Sequence, residues 1–168
     1  VDEAKADGFD GNLVYVAVNA PEQRSIATAA QAMLGAVGIN VDVQYTATVT
    51  DMVKRLYVDY DFDLASASNS MTDPLATLRF PAALGSDSAN NIAGYDDPEM
   101  DRLLAEARSA TTDDARSTAL AAIEQKIHDD VPILSVASGE NFVAWSDDVH
   151  GVLTSNDSIV LLGKTWIG

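Results

Sequence analysis

The sequence predicts an α/β fold, a mixed and partly parallel sheet flanked by helices, on three observations. Residues 11–67 run strand, helix, strand, helix, strand, the order that pairs strands in parallel through crossover helices. The first apolar run, Gly11 to Val18, is continuous and β-branched, whereas Ile39 to Tyr45 alternates apolar and polar. Beyond residue 97, two helical patterns with apolar stripes follow one another.

The elements follow in order. Asp7-Gly8 and Asp10-Gly11 are turn signals, and GNLVYVAV after them reads as a buried strand over 12–18. Asn19-Ala20-Pro21-Glu22 opens a helix over 21–37, with Pro placed where its missing N–H costs nothing. Its expected apolar face is Ile26, Ala30, Met33, Leu34 and Val37, and Gly38 can cap its end. INVDVQY over 39–45 is a strand with one wet face. A second helix follows Thr50, its expected buried stripe being Met52, Val53, Leu56, Tyr57 and Tyr60, and 62–67 is a third strand. Pro74 opens a short helix toward Phe80, and a Gly/Ser/Asp/Asn loop runs over 85–91.

Asp97-Pro98-Glu99 starts the next helix, with Met100, Leu103, Leu104 and Ala107 as its stripe. Thr111 and Asp114 have capping-box spacing for a helix over 112–129, whose apolar face is Leu120, Ile123 and Ile127. Residues 131–136 and 142–145 read as strands, and 159–167 as a last one. The strands at 12–18, 39–45, 62–67 and 132–136 are expected in one sheet, with helices 21–37 and 112–129 packed on it.

Composition narrows the function. With 26 acidic against 10 basic residues the net charge is −16, so phosphate backbones and anionic lipids are repelled and nucleic acid is a poor partner. The acids are scattered, as on a solvated surface. With no cysteine, disulfides, thiolate chemistry and Cys-based zinc sites are excluded. No apolar run reaches the roughly 20 residues that span a bilayer. Val1-Asp2-Glu3-Ala4-Lys5 carries no export signal, which fits a cytoplasmic protein and a trimmed or mature chain equally.

Catalytic patterns are absent: no G-x-S-x-G, G-x-G-x-x-G, P-loop or H-E-x-x-H. His128 and His150 lie in unlike contexts. Asp59, Asp61 and Asp63 have the spacing of a calcium loop, but Leu64 and Ser70 stand where Gly and Glu are required, so a helix exit entering a strand explains them better. No enzyme, cofactor or metal is expected. What remains is a place, because ligands of open α/β sheets bind beyond the carboxyl ends of the strands. After the third strand come Ser68, Asn69, Ser70, Met71, Thr72 and Asp73, a small polar loop that reads equally as a ligand contact or a solvated linker. Asn90 and Asn91 are further candidates beside their reading as turn chemistry. Arg24 is a candidate holder of an anionic group beside its reading as a solvated helix-face residue.

The string NNIAGYDDPEMDRLL over 90–104 resembles the N-Y-x-G-Y-x-x-P-E-x-D-x-L-L segment of the peptide-type extracytoplasmic solute-binding proteins that feed ABC importers. Four further segments resemble that family, in its order. They are DGFDGNLVYVAVNAPEQRSIATAAQAMLGAVGINVDVQY, YDFDLASASNSMTDP, TTDDARSTALAAIEQKIHDDVPILSV and NFVAWSDDVHGV. The resemblance implies that residues 1–168 are a single domain, the C-terminal lobe of a longer, hinge-closing protein of the type II-like periplasmic binding protein fold. It implies a small solute (peptide, sugar or chelate) captured in a cleft shared with the first lobe of the same parent chain, and delivery to a membrane ABC permease. An extracytoplasmic place, periplasmic or lipid-anchored, is implied with it. Peptide binders of the family place a Trp, and three residues later an Asp that pairs with the peptide amine, where this chain has Ala67 and Ser70. That departure points to non-peptide solutes. The alternatives are a small α/β enzyme using carboxylates and an interaction domain with no small-molecule site.

Overall fold

β1 (Asn12–Val18) is the middle strand of a three-stranded parallel sheet, with β2 (Asn40–Thr46) on one side and β3 (Leu64–Ala65) on the other. The computed structural model describes residues 1–67, 73–136, 142–155 and 159–168. These form two compact units, one of residues 1–69 and 82–98, the other of 70–81 and 99–168.

In the first unit, the period-2 geometry of β1 sends its side chains to two separate cores. Tyr15 and Ala17 pack with Ala27, Ala30 and Leu34 of α2 (Pro21–Ala36) and with Val41 and Val43 of β2. Val14, Val16 and Val18 pack with Met52 of α3 (Val49–Lys54), with Leu56 just beyond it, and with Ile92. Burial on both faces is why β1 reads as a continuous apolar run. β2 keeps the expected wet face, Asn40 and Asp42 being exposed while Val41 is buried. Gly38, at φ 88°, turns the chain from α2 into β2, as expected of a glycine just past a helix end. A short helix, α1 (Asp2–Ala6), precedes β1 and ties to the sheet through Lys5 Nζ, which donates to Gly38 O at 3.2 Å.

Several expectations need correction. The third strand is only two residues long, though Asp63 N to Val14 O and Ser66 N to Val16 O extend its bonding at both ends. In the second helix Met52 and Leu56 are buried, but Val53, Tyr57 and Tyr60 are exposed. The helix passes into a π-helical turn at Arg55–Asp59 and ends at Tyr60 with φ 50°, so a 3.6-residue period does not carry through. On α2 the contact face is Ala27, Ala30 and Leu34, which leaves Met33 and Val37 outside.

In the second unit α4 (Asp73–Leu84, crossing from one unit to the other at Pro81), α5 (Pro98–Ser109) and α6 (Asp113–Asp130) are helical as expected. Met100, Leu103, Leu104 and Ala107, the whole expected stripe of α5, are buried. On α6 the deepest residues are Ala119 and Ile123. Its cap is Thr112 rather than Thr111, Oγ1 accepting from Ala115 N at 3.2 Å. The strand expected at 132–136 is irregular and absent from the parallel sheet. Val131 sits at φ 51°, ending α6 in the left-handed region, and Pro132 has no N–H to give a ladder. Residues 142–145 are not a strand either. The helix expected to join α2 on the sheet, α6, belongs to the second unit. The tail forms two short antiparallel ladders, β4 (Val149–His150) with β7 (Trp166–Ile167), and β5 (Leu153–Thr154) with β6 (Val160–Leu161).

Candidate functional site

The carboxyl ends of β1, β2 and β3 form one edge of the parallel sheet, where Asn19, Tyr45 and Ser66 stand at or just past the strand ends. Register fixes two of them: Ala17 lies opposite Tyr45, and Val18 opposite Thr46. Asn19 N extends the ladder by donating to Thr46 O at 3.0 Å. α2 starts two residues later with Pro21, and its first turn brings Gln23 and Arg24 to the same edge. Ala20 at the N-cap offers no side-chain acceptor to that first turn.

Two contacts bind the turn to the strand ends. Ser66 Oγ donates to Gln23 Oε1, joining the exit of β3 to α2. Arg24 Nη1 donates to Asn19 Oδ1 at 3.3 Å, and the guanidinium carbon lies 5.5 Å from the centre of the Tyr45 ring. That cation–π placement orients the guanidinium without neutralising it. Among the described residues no carboxylate pairs with Arg24, in a chain carrying −16. An exposed, oriented, uncompensated guanidinium holds planar anions such as carboxylates in bidentate fashion.

The other expected site residues are placed differently. Ser68, Asn69, Ser70, Met71 and Thr72 lie outside the described residues. Asp73 opens α4. Asn91 organises its own loop: Nδ2 donates to Gly85 O at 3.1 Å and to Tyr95 O at 2.7 Å, and Oδ1 accepts from Tyr95 N at 3.2 Å. Asn90 is exposed beside it, its N–H donating to Ser88 Oγ at 3.2 Å. Ile92 anchors this loop in the core on the α3 side of the sheet, whereas Arg24 belongs to α2, which packs on the other side. Asn19, Gln23, Tyr45 and Ser66 went unread in the sequence. The carboxyl-edge rule applied to the strand ends would have found Asn19 and Tyr45.

The acids of residues 59–63 do not converge. Asp59 pairs with Lys54, Asp61 with Arg55 at 2.7 Å, and Asp63 Oδ2 accepts from Val14 N at 2.7 Å. His128 is exposed in the last turn of α6, while the His150 ring lies 4.3 Å from that of Trp166. An open depression of about 600 Å³ does exist, lined by Phe9, Asp10, Asn12, Asn40, Asp42 and Asp63 among others. It lies at the amino edge of the sheet, and two of its acids are occupied by backbone N–H groups, Asp10 with Asn12 and Asp63 with Val14. The Asn12 N–H, and then its side chain, hold the Asp10 carboxyl below the usual range. We therefore place the candidate site at the carboxyl edge.

No protein-family model matches the chain, and no curated protein sequence matches it. Solved structures do match, and they are substrate-binding proteins of ABC transporters: the chain has the fold of a segment of that class. Within it the likeness is to peptide- and nickel-binding members. A dipeptide-binding protein from Pseudoalteromonas, solved with Met-Leu, is 24% identical over 99% of this chain and 34% of its own, with a TM-score of 0.75. The periplasmic murein tripeptide binding protein MppA is 25% identical over 72% of this chain and 23% of its own, at 0.62. The Staphylococcus aureus protein NikA, solved with Ni(L-His)2, is 20% identical over 77% of this chain and 28% of its own, at 0.65. These neighbours are binding proteins rather than enzymes. The chain spans roughly a quarter to a third of their length.

Proposed function

We propose that the chain is the C-terminal ligand-binding lobe of a longer solute receptor of an ABC importer, acting outside the cytoplasm of a bacterium. The parent captures a small solute between this lobe and its first lobe and presents it to a membrane permease. It catalyses nothing. The observation that carries this reading is Arg24: a guanidinium that no carboxylate among the described residues pairs with, oriented by Asn19 and Tyr45 at the carboxyl edge of a parallel sheet. The fold likeness to binding proteins supports it.

The solute in this reading bears a carboxylate or similar anion that Arg24 holds. By the family resemblance of the sequence, Ser70 stands where peptide binders carry an Asp for the free amine, and a buried ammonium with no carboxylate is costly. The favoured solute class is therefore an anionic compound or chelate without a free-amine requirement.

Calorimetry of the natural polypeptide containing these residues tests this, against carboxylate-bearing solutes, metal chelates and free-amine peptides. Arg24→Ala removes a charge-assisted hydrogen bond of about 1.5–3 kcal/mol, so affinity for the anionic solute falls about ten- to a hundred-fold. Ser70→Asp is expected to weaken it too, because the resemblance puts the added carboxylate where peptide binders of the family hold an amine, not an anion. Unchanged affinity in both variants refutes the assignment of the site. Tight binding of free-amine peptides by the wild type refutes the solute class.

A further inference from the structure

The geometry points to a hydroxy carboxylate as the solute this edge selects, with Gln23 and Ser66 as the pair that recognises a hydroxyl beside the anion on Arg24. The inference rests on the receptor reading above and names which oxygens of the solute are read, and by which residues.

Donors and acceptors at the edge are unequal. Asn19 Oδ1 accepts from Arg24 Nη1 at 3.3 Å, and Gln23 Oε1 accepts from Ser66 Oγ. The nearby carbonyls are taken as well: Val18 O accepts from Ala20 N at 2.8 Å, Thr46 O from Asn19 N at 3.0 Å, and Ala20 O from Arg24 N at 2.9 Å. What remains are donors. Asn19 Nδ2, Gln23 Nε2 and the other N–H groups of Arg24 meet no acceptor among the described residues. Glu22, the acid on this turn, makes no ion pair with Arg24. A solute therefore docks here through its oxygens, a carboxylate on the guanidinium first.

Ser66 adds one acceptor. Its N–H donates to Val16 O at 3.1 Å, which holds the residue in the β1–β3 ladder. Its hydroxyl gives its proton to Gln23, so the oxygen keeps lone pairs that no donor among the described residues meets. The same bond fixes the Gln23 amide plane and sets an N–H donor beside a lone-pair acceptor, on two half-buried residues. A hydroxyl, which accepts and donates at one atom, complements such a pair. A methylene there leaves both groups unpaired, which is what makes a polar site reject the analogue that lacks the group. A second carboxylate would satisfy the donor but turn negative charge toward the lone pairs. It would also find no counter-charge in this unit, because Lys5 is bonded to Gly38 O, Lys54 to Asp59 and Arg55 to Asp61. The solute is thus a monocarboxylate that carries hydroxyls.

Calorimetry on the natural polypeptide with three six-carbon acids tests this. Gluconate is a hydroxylated monocarboxylate, hexanoate has the same carboxylate without hydroxyls, and glucarate adds a second carboxylate. The wild type should bind gluconate about ten-fold or more tighter than hexanoate. Gln23→Met, similar in length but without a donor, should bring that ratio close to one. Ser66→Ala, which removes the acceptor and frees the amide, should lower it about three- to ten-fold. Arg24→Ala should weaken both acids together. A variant that merely folds poorly lowers both affinities, whereas loss of the hydroxyl contact lowers their ratio, so the two are told apart. An unchanged ratio in Gln23→Met and Ser66→Ala overturns the inference. So does a wild type that binds gluconate and hexanoate alike, binds neither, or binds glucarate more tightly than gluconate. The anion assignment fails separately: it falls if Arg24→Ala changes neither affinity, and stands if both fall while the ratio is blind to Gln23 and Ser66.

Discussion

Replacing Asn91 separates a loop-forming residue from a ligand-binding one. Its amide closes the loop from Gly85 to Tyr95 with three hydrogen bonds, two donated and one accepted. A net value of about 0.5–1.5 kcal/mol for each bond bounds the loss at about 1.5–4.5 kcal/mol. The loop is only half-buried, so water replaces part of what Asn91→Ala removes, and about 2–3 kcal/mol is expected. For a chain of this size that lowers the melting temperature by about 4–12 °C. Asn91→Asp should fare no better, since it keeps the acceptor for Tyr95 N but turns a carboxylate toward the carbonyls of Gly85 and Tyr95. Urea unfolding of the 168-residue chain, followed by circular dichroism, reads the loss. Solute calorimetry on the natural polypeptide reads the alternative. An Asn91→Ala variant that unfolds at the wild-type midpoint but loses its solute would refute the reasoning and return Asn91 to the binding site.

Three other outcomes are expected. Met52→Ala, at a buried position against Val16, should cost about 2–5 kcal/mol in urea, while its exposed neighbour Val53→Ala should cost little; equal losses would contradict the burial of one and the exposure of the other. Val131→Gly relieves a β-branched residue held at φ 51° and should stabilise the chain by about 0.5–1 kcal/mol net of the added unfolded-state entropy, read as a higher unfolding midpoint. Asp10 should titrate by carboxyl NMR below the ordinary aspartate range. Its folded-state pKa is depressed, so its contribution is complete above the unfolded value and is lost as the pH falls through the folded one; an ordinary value would contradict the Asn12 N–H contact.

Legibility in the sequence followed the locality of the cause. β1, β2 and α5 were readable because their signals lie within the segment: Gly11 and Gly38 at positive φ beside the strands, Pro98 at a helix start, and a stripe that stays in phase for about two turns. The helix after Thr48 was misread at Tyr57 and Tyr60 because a π-helical turn from Arg55 shifts the phase, and no residue type announces it; Val53, before that turn, was assigned to too wide a stripe. Residues 131–136 were misread because a short apolar run has the same composition whether it pairs in a sheet or covers another surface. Arg24 was visible as a candidate, but its orientation was not. Asn19 and Tyr45 reach it only through the parallel register of β1 and β2, and Ser66 meets Gln23 across a sequence separation no local pattern spans. The Asp10 and Asp63 side chains, by contrast, are turn and strand-edge acceptors whose local roles the Asp-Gly and helix-exit readings anticipated.

If this lobe is one wall of a cleft whose other wall lies elsewhere in the parent, the solute must lose most of its contacts in the isolated chain. The direct measurement is calorimetry of one solute against the natural polypeptide and against the 168-residue chain under the same conditions. The account predicts a clear isotherm for the first, abolished or strongly weakened by Arg24→Ala, and affinity at least about a hundred-fold poorer for the second, a loss of about 2.8 kcal/mol or more. Equal affinity in the two would contradict it, and would make these 168 residues a complete binding module.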